Sequence, residues 1–213
     1  MEKMMNSTLN DFCQSVGSDS FAPGGGCVAA LAGALGASLS KMVLLLTIGK
    51  KKYLEFDGEN KPLLEKMGAL QSELMNCVDR DLEGCDVILA AMALPKESDA
   101  DKAARKAALS QAGKKANEAP LRVCELAAEV LGITRKSLKK INQNTVTDWA
   151  CGALQAYAAL EGAAMNAKIN CGSIQDPSYN QDLHTRLKKL LETGRDDLTE
   201  IRTVVHAGLE LAA

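Results

Sequence analysis

The chain has 213 residues, 24% of them charged, and a formal net charge of −2, so it lacks the basic stripe that nucleic acid demands. At 46% hydrophobic it is too apolar for a disordered chain and long enough to bury a substantial core. Aromatics make up only 3%, and clusters of β-branched and aromatic residues are missing, so strands are not expected and the core must be mainly Ala, Leu, Val, Ile and Met.

A first helix is predicted over residues 7–16, with Leu9, Phe12, Cys13 and Val16 on one face. Gly17 to Gly24 reads as a loop with Pro23 near its end, leading into a long apolar helix that stops near Gly49. Residues 27–48 are long enough to cross a bilayer. Lys41 interrupts them, however, and many are Gly, Ala or Ser, so a buried central helix is expected and no membrane partner. Ala29, Gly33 and Ala37 recur every fourth residue and form a shallow groove that another backbone can approach. Such a smooth helix must be covered within the chain or by a second copy, and a homodimer is expected on symmetry grounds.

A third helix is predicted after Asn60, with Pro62 in its first turn and its end before Pro95. Ser98 can cap a fourth that runs towards Gly132 with a kink or break near Pro120. Ile133 to Ile141 reads as a short helical piece. A further helix starts at Thr145 or Thr147 and reaches Ile169. The last follows Pro177 and carries Leu183, Leu187, Leu190, Leu198, Ile201 and Val205. No linker, charge block or repeat divides residues 1–213, so the expectation is one all-α domain, an up-and-down-like bundle of long helices.

Seven cysteines, an odd number without a C-x-x-C pair, follow a polar start that lacks an apolar signal segment. Reduced thiols in a cytoplasmic protein are expected. His184 and His206 form no metal-binding motif, so no metal site is expected.

Four features break the packing pattern. In the third helix the apolar seam steps through Leu63, Met67, Leu70, Leu74 and Cys77, then meets Asp81 where a hydrophobe belongs. An ionised carboxylate there is costly unless paired or hydrogen-bonded. Asp81 either bonds a helix terminus or a buried cation, or is a carboxyl held near neutrality for acid–base work. The helix after Thr147 carries Asp148, Gly152, Gln155, Ala159, Gly162, Asn166 and Asn170 on one stripe. That stripe is either a solvated face or, being poor in Lys and Glu, the lining of a cavity for a polar ligand. Gly24, Gly25 and Gly26 form either a tight turn alone or a place where a ligand meets free amides at a helix start. Lys50, Lys51 and Lys52 either complement the preceding helix dipole or hold an anionic tail.

The segment Ala22-Pro-Gly-Gly-Gly-Cys-Val-Ala-Ala30, with Met42-Val43 and Gly49-Lys-Lys-Lys-Tyr53, resembles the opening of the formiminotetrahydrofolate cyclodeaminase/methenyltetrahydrofolate cyclohydrolase family. The resemblance continues through Val78-Asp-Arg-Asp81, Leu94-Pro-Lys96, Ala119-Pro-Leu121, Thr147-Asp148 and Asn166-Ala-Lys-Ile-Asn170. It covers nearly the whole chain, as in stand-alone bacterial members. It implies an all-helical dimer that acts on the carbon bridging N5 and N10 of tetrahydrofolate, with no cofactor beyond that substrate. The acid–base aspartate of the family motif falls on Asp81, and Asp148, Asn166 and Asn170 match positions that line the folate pocket. The glycine turn and Lys50 are the expected receivers of the glutamate carboxylates, on a folate that can be polyglutamylated. The motifs do not separate the family's two activities; a stand-alone chain points to methenyltetrahydrofolate cyclohydrolase, with cyclodeaminase as the alternative and a non-catalytic folate-binding or dimerisation protein as the contrasting reading. Three departures stand out: Cys27 for Ser, Thr147 for Ser, and Gly84-Cys85 for an Ala-Phe pair.

Overall fold

The computed structural model describes residues 3–210, and among them every regular element is helical. Seven α-helices follow in order: α1 Leu9–Val16, α2 Gly25–Thr47, α3 Asp57–Met92, α4 Asp99–Ala116, α5 Glu118–Lys136, α6 Val146–Asn170 and α7 Pro177–Glu210. The expected all-α fold class is therefore what the chain adopts.

The long apolar helix is the centre of the bundle. α2 packs most extensively on α6 and α3 and also touches α5. Ala30, Ala37, Val43 and Leu44 are fully enclosed, and half of the membrane-length run is buried inside the bundle. Small residues set its spacing, as the four-residue recurrence implies. The closest approach to another backbone is one step along from the predicted groove: a Cβ on Gly36 would lie 2.6 Å from the Gly152 carbonyl oxygen of α6. Gly33 instead admits Leu74 of α3, where a Cβ would lie 2.9 Å from Cδ2. Two backbones can meet this closely only where both lack side chains. Trp149 is enclosed beside this contact and donates from its indole nitrogen to the Thr134 carbonyl at 2.8 Å.

Local chemistry explains most boundaries. Thr8 caps α1 through the Asp11 amide, and Ser98 forms a reciprocal capping box with Asp101. Gly49, with φ 78°, reverses the chain after α2, and its amide donates to Asp57. Three expectations need correction. α3 begins at Asp57 and not after Asn60, because a 3-10 turn over Lys51–Phe56 feeds straight into it. The break expected near Pro120 is present, at Asn117, which leaves Pro120 in the first turn of α5, where its missing N–H costs nothing. No separate helix spans residues 133–141, since α5 runs on to Lys136 and turns follow. On α1 only Phe12 is buried; Leu9 and Cys13 of the predicted face are exposed.

The last helix behaves as its pattern implies. Leu183, Leu187, Leu198, Ile201 and Val205 are buried against α5 and α6. All seven cysteines are free thiols.

Candidate functional site

The antiparallel pairing of α2 and α6 brings the start of α2 beside the end of α6, and the middle of α3 closes the third side. A cleft of about 150 Å³ lies there, lined by Gly24, Gly25 and Gly26, by Asp81 and Cys85 of α3, and by Asn166 and Asn170 of α6. Phe21 and Ile169 form its apolar rim. Larger grooves run between α6 and α7, the widest about 520 Å³, but they lie away from Asp81. No group of three potential metal ligands gathers among the described residues.

Asp81 sits under the first turn of α2. A Cβ on Gly26 would overlap its carboxylate, so glycine is required for the carboxylate to stand at the helix end. Gly24 takes the N-cap position with extended backbone and offers no side chain to the first amides. The terminus-bonding alternative for Asp81 is thus partly realised. It is a poor cap, however. Its recorded side-chain partner is the Cys27 thiol, with Sγ 3.3 Å from Oδ2, and the Cys27 backbone amide adds a weaker pull. Thiols are weak donors, so burial dominates and raises the Asp81 pKa above the ordinary 3.8, while both Cys27 contacts lower it. A purely structural cap would be pulled the other way.

The neighbouring thiols stay protonated. Burial first, then the Asp81 charge, pushes Cys27 far up and Cys85 to about 11. Across the cleft, Asn166 Nδ2 donates to the Gly162 carbonyl at 2.9 Å, and a Cβ on Gly25 would press on Asn166 at 3.2 Å. Asn170 Nδ2 donates to Asn117 Oδ1 at 3.1 Å. Asn117 is fully buried at the α4–α5 break, so it holds Asn170 in place. Sequence reading did not single out Asn117; its only signal was its place just before the Pro120 break. Gly84, one turn from Asp81, lets the end of α4 approach, since a Cβ there would lie 3.1 Å from Ala116 Cα. Cys85 then occupies the cleft wall.

The structure gathers Gly24, Gly25, Gly26, Asp81, Asn166 and Asn170, and it separates Lys50 and Asp148 from them. Asp148 lies roughly 27 Å from Asn166 at the helical rise of about 1.5 Å per residue. Lys50 follows the opposite end of α2 from Gly25. Within one chain, then, Lys50 and the glycine turn cannot grip the same carboxylates. The stripe on α6 is also mostly not a cavity wall: Gly152 and Ala159 are buried against α2, and only its Asn166 and Asn170 end lines the cleft.

A helical bundle with this carboxyl at a glycine-bearing helix start belongs to a recognisable class. The chain is a member of the formiminotransferase-cyclodeaminase family, whose model matches residues 8–189. It is similar to the methenyltetrahydrofolate cyclohydrolase of Methylorubrum extorquens, 38% identical over 87% of this chain and 88% of that one. It is also similar to the formimidoyltransferase-cyclodeaminase of Sus scrofa, 30% identical over 91% of this chain but only 36% of that longer protein. The crystal structure of formiminotetrahydrofolate cyclodeaminase from Thermotoga maritima shares the fold, with a TM-score of 0.85 over 96% of this chain and 98% of that one, at 22% identity.

Proposed function

We propose that the chain hydrolyses 5,10-methenyltetrahydrofolate to 10-formyltetrahydrofolate, with Asp81 as the proton shuttle. The observation that carries this reading is a carboxyl held in the cleft with only a thiol as side-chain partner, its pKa raised by burial. Water attacks the cationic methenyl carbon while the Asp81 carboxylate takes its proton. The carboxyl then returns a proton to N5 as the C–N5 bond breaks, and the hydroxyl on the carbon gives up its proton to solvent, leaving the formyl group on N10. Such a shuttle contributes about 10²–10⁴ in rate. Asn166 and Asn170, the latter fixed by Asn117, are assigned to hydrogen bonds with the folate. We assign no cofactor beyond the tetrahydrofolate substrate, since opening a cationic amidine needs only proton transfer. A homodimer in the cytoplasm completes the reading.

Cyclodeamination is the second reading, favoured by the similarity to the Sus scrofa protein. There N10 attacks the formimino carbon on N5 and ammonia leaves after protonation, with Asp81 again moving the proton. Purified protein is given each substrate separately, and methenyl absorbance and free ammonia are followed. Loss of the methenyl band with formation of the 10-formyl product supports hydrolysis. Methenyl formation with ammonia from the formimino substrate reverses the order. No turnover of either removes both.

A further inference from the structure

The cleft at Asp81 encloses only part of a folate. Its volume of about 150 Å³ falls well below the roughly 300–1,000 Å³ of pockets that enclose drug-sized ligands. Its wall is polar and its rim is not. Asn166 and Asn170 each spend the amide nitrogen inside the protein, on the Gly162 carbonyl and on Asn117 Oδ1. Neither asparagine oxygen has a partner among the described residues, so the wall offers two acceptors in the cleft that Asp81 also lines.

The rim carries an aromatic ring that the fold does not use. Phe21 is 61% exposed, whereas every other aromatic side chain among the described residues is buried or half-buried. Ile169, which reaches the same rim from α6, is 77% exposed. Burial of such side chains is favourable, and here it is left unrealised. The backbone nevertheless holds Phe21 in place. Ser20 Oγ donates to the Ala22 carbonyl at 2.7 Å, bridging over Phe21. The Phe21 carbonyl oxygen also lies against the start of α2, where a Cβ on Gly24 would be 3.7 Å from it.

We propose that Phe21 and Ile169 form an apolar clasp for the p-aminobenzoyl ring of the folate, while the reduced pterin enters the cleft. The inference rests on the folate reading above and deepens it to how the substrate lies. A reduced pterin carries N–H donors on its 2-amino group, N3 and N8, and these match the two asparagine oxygens. The p-aminobenzoyl ring presents a bare aromatic face, which suits offset or edge-to-face stacking on Phe21. The carbon bridging N5 and N10 joins the two ring systems, so this placement leaves it between the polar wall and the clasp. Phe21 is therefore a specificity residue: it favours folates over free pterins and takes no part in proton transfer.

Phe21→Ala tests the clasp. The side chain is exposed, so the fold loses little, and an unchanged Tm checks this. KM for the methenyl substrate is expected to rise about 10-fold with kcat within about two-fold, because stacking is equally strong before and during reaction. Phe21→Tyr, which keeps the ring, restores the wild-type KM. Binding separates the two rings. Phe21→Ala weakens tetrahydrofolate by the same factor, whereas 6-methyltetrahydropterin, which lacks the benzoyl ring, binds wild type and variant alike. Equal weakening of both ligands would put the pterin at Phe21 and overturn the assignment. An unchanged KM, or a loss confined to kcat, overturns the clasp itself. The folate reading fails separately: then the wild type neither binds tetrahydrofolate nor turns over either substrate. A wild type that does both, beside an indifferent Phe21→Ala, removes the clasp alone.

Discussion

The two ends of the α2–α6 pair use similar polar residues to opposite effect. At the Thr47 end the polar groups are spent on the fold. Thr47 accepts from the Asn142 amide at 2.8 Å and donates to the Val43 carbonyl, while Tyr53 accepts from the Gln143 amide at 3.0 Å. At the Gly26 end they are held back: α2 starts without a side-chain cap, and the side-chain partner of Asp81 is a thiol. A satisfied polar group stabilises, whereas an under-satisfied one keeps its chemistry available. The comparison teaches that reactivity here comes from what was withheld at one helix end.

The largest effect should come from Asp81. Replacing it with Asn is expected to lower kcat by about 10²–10⁴, measured with the methenyl substrate. The same variant should be more stable at neutral pH. Because the folded pKa is raised above 3.8, the folded state binds the proton more tightly than the unfolded chain, and stability is lost as pH rises through the folded value. The Tm gain of Asp81→Asn should therefore appear at pH 7, at about 2–4 °C per kcal/mol relieved, and vanish below the ordinary carboxylate range. A variant that is inactive and less stable at pH 7 would mean the carboxylate is structural after all.

Gly26→Ala comes next. Its methyl group must displace the carboxylate, and a misplacement of about 1 Å can cost on the order of 100-fold in kcat with substrate binding less affected. Thr47→Val probes the opposite end. It strands the Asn142 amide, and a loss of about 1–3 kcal/mol in urea unfolding is expected with kcat unchanged. A kcat change there would break the division between the two ends. The smallest effect is that of Cys27→Ser. A hydroxyl is a stronger donor than a thiol, so it should lower the Asp81 pKa and move the acidic limb of the kcat/KM profile down by less than about one pH unit.

Much of this was legible in the residues. Asp81 declared itself because charge in an apolar seam has few explanations, and α7 because Leu183, Leu187 and Leu198 keep helical spacing over its length. Lys50 and Asp148 stand far from Asp81 because a motif records order along the chain, not distance in the fold. The α6 stripe was ambiguous for another reason. Gly152 and Ala159 look alike whether they make room for a ligand or for a helix, and here α2 fills the space. Asn117 was invisible because an Asn before a proline-bearing turn is ordinary; only its burial and its bond to Asn170 mark it.

The contact of Gly36 with the Gly152 backbone is a fulcrum. Two antiparallel rods packed along their length keep the spacing that their closest contact allows. Gly36 lies roughly 15 Å along α2 from Gly26 at about 1.5 Å per residue. A single methyl at Gly36 would pry α2 from α6 and turn that local gap into a wider cleft at Asp81. The chain thus sets the width of its reactive end by the bareness of its middle.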